Sequence, residues 1–376
     1  MISTDDIRVS SVVMTHPARR RHAETLCEKH PELRLRVVVD PDPDGPPSSV
    51  RTGRLAWEAA DPDATHHLVL EDDVELTEDF LAQFLAAVRA QPAATISLHT
   101  ACTSRTSFSA RLGLLYGTPW APVLGDYVPT VAAVLPARLA TGFGRFIAER
   151  AVLTDHNDLL LKRYLDTVSV PRLITTPNLS DHLPLPSLEG NVTPDGRRSV
   201  CFIKRGGAVD WTRPPVDPPV VPYLTPTPPR RAVAFVRAGP SADPVIRPAL
   251  TVLRERHVRL DFLSTEFEQA RDEHTALIPH LDDILLELWR VAALLGVGHR
   301  LLIRTAARPV DIEQLLRQPL VAATLVSWAD GLLEKRVTDD DRQTLSPELS
   351  TFFASGIVSG HRASPRAAVS SSRGVV

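Results

Sequence analysis

The sequence has no excess of basic residues, no long apolar run and little cysteine, and each shortage removes a class of protein. Lys and Arg number 42 against 45 Asp and Glu, a net charge of -3. A general nucleic-acid binder would carry a basic face or stripe, so no nucleic-acid partner is expected. No apolar run approaches the ~20 residues needed to span a bilayer. The opening Met1-Ile2-Ser3-Thr4-Asp5-Asp6 lacks the basic stretch and apolar core of a secretory signal. A cytoplasmic protein with no integral membrane segment is the expectation. Asn191-Val192-Thr193, which has the form of a glycosylation acceptor, would then go unused. The three cysteines, Cys27, Cys102 and Cys201, lie more than seventy residues apart. That spacing excludes a zinc knuckle or paired redox motif and reads as isolated buried thiols.

Proline, by contrast, is concentrated. Eight of the seventeen residues from Arg213 to Pro229 are proline, which lacks an amide donor and holds the chain extended. Such a stretch reads as a semi-rigid spacer. A chain of 376 residues also exceeds what one core usually takes. The expected layout is therefore a first domain over 1–212, a linker over 213–229, a second, smaller α/β domain over 230–363 and a disordered tail over 364–376.

Before the spacer, apolar runs alternate with helical patterns. Val9 to Met14, Leu33 to Val39, His67 to Leu70, Thr95 to Leu98 and Val128 to Leu135 read as strands. Helices are expected from Pro17 to about Lys29, over 50–60, and from Thr77 to Ala90 with Phe80, Phe84 and Val88 four apart. This alternation predicts a mostly parallel, Rossmann-like sheet with flanking helices. After the spacer, Ala232 to Val236 reads as a strand, followed by a helix to about Arg256. The alternation of Val258, Leu260 and Phe262 suggests another strand, and Arg300 to Arg304 a further one. The stripe Leu281, Leu285, Leu288, Ala292 and Leu295 reads as helical core packing. No phosphate-cradling glycine loop or nucleophile elbow occurs in this half.

The chemistry concentrates at His67-Leu68-Val69-Leu70-Glu71-Asp72-Asp73-Val74. Three consecutive acids after a buried strand repel one another unless a cation or several donors compensate them. In open α/β sheets ligands collect at the carboxyl ends of strands, and hard divalent cations favour carboxylate oxygens together with substrate phosphates. Acidic capping of the following helix is the alternative.

Leu70-Glu71-Asp72-Asp73-Val74 resembles the acidic signature of GT-A glycosyltransferases, in particular the Glu-Asp-Asp form of the lipopolysaccharide-type enzymes. The resemblance covers residues 8 to 205. It implies a GT-A type fold, a nucleotide-sugar donor, Mn2+ or Mg2+, and an acceptor that is a glycan, small molecule or peptide. By the match Asp73 binds the metal, Glu71 reaches the ribose or a metal-bound water, and Asp72 adds to the donor site in a less defined role. His182, in Leu179-Ser180-Asp181-His182, matches the histidine that completes the metal site. Thr15 and Arg19, after the first strand, match the segment that meets the nucleotide; a solvated first-turn arginine is the alternative. Asp40 matches the acid that contacts the base, or else is a turn residue before Pro41. Thr154-Asp155-His156-Asn157-Asp158 resembles the start of the acceptor-side helix, which makes Asp155 and Asp158 the candidates for a catalytic base; a helix cap with a first-turn acid competes. Asp126, Tyr127 and Trp120 are candidates for sugar contacts.

The resemblance implies metal-dependent transfer of a sugar to an acceptor hydroxyl. Two alternatives stand beside it. A nucleotidyltransferase would share the fold and acids but calls for a glycine-rich loop, and Thr15 to Arg21 has no glycine. A catalytically degenerate GT-A domain could serve as a binding or scaffold module.

Overall fold

The computed structural model describes residues 7–186, 188, 196–205, 207–239, 243–303 and 310–365. Two compact units emerge, one of residues 1–216 with 330–335, the other of the remainder.

The first unit opens with β1 (Val9–Thr15), α1 (Arg20–Lys29), β2 (Arg36–Val39), α2 (Ser49–Glu58) and β3 (His66–Glu71). A short strand β4 (Val74–Leu76) follows, then α3 (Phe80–Ala90), β5 (Thr95–Ser97) and α4 (Arg105–Tyr116). The unit continues with β6 (Trp120–Pro122), β7 (Ala132–Pro136), α5 (Ala137–Arg150), α6 (Asn157–Leu165), β8 (Arg172–Thr175) and β9 (Ser180–His182). Seven strands form one sheet in the order β2-β1-β3-β7-β5-β8-β6. The strands β2, β1, β3, β5 and β8 run one way, and β7 and β6 run against them.

Side chains alternate across this sheet because strand geometry has a period of two. Val13, Leu68 and Leu70 face α1 and α3, where they meet Leu26, Phe80 and Phe84. Val12, Met14 and Val69 face the opposite layer, with Trp57 of α2, Phe143 of α5 and Leu161 of α6. Each fully buried aliphatic side chain contributes about 1.5–3 kcal/mol, so β1 and β3, covered on both faces, anchor the unit. His67 belongs to this core. Its Nε2 donates to the Ala56 carbonyl at 2.8 Å, which leaves Nδ1 to accept from the Ser10 hydroxyl at 2.8 Å. Burial pushes its pKa down and keeps the ring neutral.

The second unit holds a three-stranded antiparallel sheet, β10 (Val220–Leu224), β11 (Ala232–Val236) and β12 (Val245–Pro248). Its helices are α7 (Ala249–Glu255), α8 (Leu260–Glu273), α9 (Ile278–Leu281), α10 (Leu285–Leu302), α11 (Ile312–Leu316), α12 (Pro319–Leu333) and α13 (Asp339–Ala363), of which the last turn of α12 groups with the first unit. Helices α10 and α13 pack closely, with Trp289 and Phe352 ring centroids 5.3 Å apart.

Several expected elements differ. The expected spacer contains β10, and the compact units divide at Val216–Asp217; Pro222 is tolerated because β10 is an edge strand, where a missing amide breaks no essential ladder bond. Val258, Leu260 and Phe262 do not form a strand. Leu263, Phe267 and Ala270 are the buried residues of α8, and this three-to-four spacing outweighs a three-residue alternation. The strand expected at Arg300 is instead the end of α10; Arg304 lies outside the described residues. The helix expected from Thr77 starts at Phe80, because Val74–Leu76 pairs with β9. The strand expected from Val128 starts at Ala132, after Pro129. Most of the expected tail, 366–376, lies outside the described residues, as does Asn191-Val192-Thr193.

Candidate active site

Parallel strands end together, so their following residues share one edge. Met14 pairs with Glu71 and Thr15 with Val39, while the Asp40 amide donates to the Thr15 carbonyl at 2.9 Å. A cavity of about 780 Å³ opens at this edge, lined among others by Thr15, Arg19, Asp40, Glu71, Asp72, Asp73, His99, Tyr127, Asp158 and His182. Its place, at the carboxyl ends of parallel strands next to the reversed strand β7, is where open α/β sheets bind ligands.

The acid segment turns from β3 into β4, which is antiparallel to β9 with Val74 opposite His182. The Leu183 amide donates to the Asp73 carbonyl at 2.7 Å. These backbone bonds bring His182 Nε2 to 3.5 Å from Asp73 Oδ2. One ligand atom each from Glu71, Asp73 and His182 lies within 4.8 Å of the others. Two carboxylates and an imidazole form a donor set suited to a divalent first-row ion or Mg2+. Asp73 Oδ1 is buried with no hydrogen-bond partner among the described residues, an orphaned acceptor that a cation would satisfy.

Asp72 is held apart from this set. Its Oδ2 accepts from the Thr15 hydroxyl at 2.5 Å. Burial raises its pKa, the Thr15 bond lowers it, and the neighbouring Asp73 raises it again, with a net upward shift. Thr15 thus orients Asp72 while itself lining the cavity. Arg19 is not a solvated first-turn residue. Its side chain is 14% exposed, with Nη1 at 2.8 Å from Asp73 Oδ2 and 3.4 Å from Asp72 Oδ1, and Nη2 donates to the Pro186 carbonyl.

Asp40 lines the cavity, but its carboxylate is engaged. Arg51 of α2 donates from Nε at 3.1 Å and from Nη2 at 3.0 Å. Burial pushes the Asp40 pKa up, and the Arg51 hydrogen bond and charge outweigh that, so the acid sits below its ordinary value.

The two base candidates separate. Asp155 does not line the cavity: its Oδ2 accepts from the Val152 amide at 2.9 Å, closing a turn, and Oδ1 faces Arg163 at 3.7 Å. Asp158, in the first turn of α6, does line the cavity. Burial pushes its carboxyl up, against the lowering effect of the Leu159 amide bonded to Oδ1 at 2.7 Å. Asp126 and Tyr127 line the same cavity, with Asp126 held by Arg105 at 2.6 Å. Trp120 is fully buried, and its Nε1 donates to the Trp211 carbonyl at 3.1 Å, so it packs the core and offers no sugar platform. Of the residues that follow His182, Ser187, Glu189, Gly190 and Asn191 lie outside the described residues.

Among the cavity residues that escaped the sequence reading are His99 and Arg51. His99, two positions past β5, is 3% exposed, with its ring centroid 6.1 Å from that of His182. Burial first, then the charge of His182, pushes its pKa down to about 4. A second polar residue at a strand end was the signal available for it. Arg51 left no local signal, because its partner is eleven residues away across a turn-rich segment.

No protein-family model matches the chain, and no curated protein matches it.

Proposed function

We propose that the protein is a metal-dependent glycosyltransferase that moves a sugar from a nucleotide-sugar donor to an acceptor hydroxyl. The observation that carries this reading is the convergence of Glu71, Asp73 and His182 within 4.8 Å at the carboxyl end of a buried parallel strand. Asp73 and His182 would hold Mn2+ or Mg2+, with Glu71 beside them. A bound ion there would offset negative charge on a diphosphate leaving group. The reading carries with it a GT-A type of fold for the first unit.

In the proposed reaction the acceptor oxygen bonds to the anomeric carbon, the bond from that carbon to the diphosphate breaks, and the nucleoside diphosphate leaves with the electron pair. Asp158 takes the acceptor's proton. Its raised carboxyl suits that task, because a stronger base is a more effective proton acceptor near neutral pH. Asp155 is withdrawn from this role by its turn contacts. Tyr127 and Asp126 supply hydrogen-bonding groups to sugar or acceptor hydroxyls, and the Asp40–Arg51 pair shapes the nucleotide end. Among the described residues no helix is long and apolar enough to cross a membrane.

The competing reading is a degenerate domain that binds a nucleotide sugar without turnover. One observation favours it: Arg19 already compensates Asp72 and Asp73, so the acids tolerate the absence of a metal. Incubation with a panel of nucleotide sugars and MnCl2, following slow donor hydrolysis, separates the two. Metal-dependent hydrolysis that Asp73→Asn abolishes supports the enzyme. Donor binding with no turnover supports the binding module, and no binding of any donor sinks both.

A further inference from the structure

The guanidinium of Arg19 stands where the charge of a divalent ion would be felt most strongly. Its Nη1 is 2.8 Å from Asp73 Oδ2, the same oxygen that lies 3.5 Å from His182 Nε2. It also reaches Asp72 Oδ1 at 3.4 Å, while Nη2 is anchored on the Pro186 carbonyl. Both carboxyl groups are buried, at 8% side-chain exposure each. A divalent ion bound through Asp73 would place two cations on one largely buried carboxylate, and their repulsion is costly there.

We infer that Arg19 is a built-in counter-cation which must leave Asp73 before a metal can bind tightly, and that a diphosphate provides the place for it to go. The inference rests on the metal-site reading above and deepens it, by assigning metal and diphosphate a mutual dependence. With no ligand, the guanidinium neutralises the two acids. When a metal arrives with a diphosphate, Arg19 exchanges carboxylate oxygens for phosphate oxygens, which suit its planar fork equally well. The metal alone finds its site contested. The diphosphate alone finds the arginine occupied. Together each removes the other's obstacle, which is a positive coupling between two ligands, and coupling of this kind is reciprocal. The device would keep the acid pair stable with no metal and reserve tight metal binding for the loaded state.

Calorimetric titration of the full chain with MnCl2 tests this, alone and with saturating pyrophosphate or uridine, guanosine, cytidine or adenosine diphosphate. The wild type should bind Mn2+ weakly alone and at least about ten-fold more tightly with one of the diphosphates. Arg19→Gln should bind Mn2+ alone about ten-fold more tightly than wild type, the effect of losing one charged competitor, and should lose most of the diphosphate enhancement. Arg19→Lys, which keeps a cation but not the fork, should retain the weak binding of Mn2+ alone. Thermal melts provide a second readout: without metal, Arg19→Gln should melt below wild type, and MnCl2 should raise its melting temperature more than that of wild type. Equal or weaker Mn2+ binding by Arg19→Gln overturns the inference while leaving the metal site standing. Failure of every variant to bind Mn2+ under all conditions overturns the metal-site reading as well.

Discussion

His182 is bound to the strand after Asp73 by its backbone, and its Nε2 stands 3.5 Å from Asp73 Oδ2. The β4–β9 ladder sets Val74 opposite His182, and the Leu183 amide on the Asp73 carbonyl closes the arrangement at 2.7 Å. The imidazole is therefore positioned by main-chain bonds that survive its removal.

His182→Ala should leave the fold intact and weaken Mn2+ binding in the presence of diphosphate by about 100-fold, at or above the upper end of what disturbing a ligand's support costs. Calorimetric titration checks it, with circular dichroism as the control for folding. Unchanged affinity would remove His182 from the metal site.

Asp158→Asn separates catalysis from stability. As the proton acceptor, Asp158 should account for about 10²–10⁴-fold in the transfer rate, with donor affinity unchanged. The stability effect has the opposite sign. Burial raises this carboxyl in the folded state, so its ionisation opposes folding, and stability is lost as pH rises through the folded pKa. The Asn variant should melt above wild type at pH 7, and the advantage should vanish at pH values below the unfolded carboxyl's range. A variant that transfers sugar at the wild-type rate would dismiss Asp158 as the base.

Gly53 of α2 faces the start of α6. A methyl group there would overlap the Asn157 side-chain amide, whose Nδ2 donates to the Ser49 carbonyl at 3.0 Å. Gly53→Ala should cost about 1–3 kcal/mol through overpacking, despite the better helix propensity of alanine, and should impair transfer by displacing Asp158. Gly207→Ala, at a position with open space around it, should stay within about 0.5 kcal/mol of wild type. Urea denaturation of both variants measures the contrast.

In the second unit, His361 of α13 lies beside His299 of α10, ring centroids 5.4 Å apart. Burial, then Arg300 and Arg362, pushes the His361 pKa down to about 4. The unfolded chain takes up this proton near pH 6.5, before the folded chain does. Stability should fall as pH drops from about 6.5 towards 4, and His361→Gln should flatten that dependence. Melting curves across this range check it, and an identical slope in the variant would contradict it.

Much of the first unit was legible without coordinates. The runs that became β1 and β3 are short, apolar and buried on both faces, and such runs have few alternatives to a central strand. The acid trio had to fall at the end of β3, with Glu71 its last residue, and charges at the end of a buried strand call for compensation wherever the chain goes next. Short segments were less legible. Val258 to Phe262 fits two periods at once, and only the burial of Leu263, Phe267 and Ala270 chose the helix. Pro222 made a spacer of what became an edge strand.

By itself, the sequence determined which strand carries the acids, since that follows from local periodicity and residue type; His182 was marked only by the resemblance to the glycosyltransferase signature. Tertiary structure alone decided that Arg19 lies across Asp72 and Asp73, that Arg51 clamps Asp40, that His99 enters the cavity and that Asp155 stays out of it. A side chain's partner is set by which strand ends and turns are brought to the same edge of the sheet. That neighbourhood arises from packing between distant segments, and no local pattern records it.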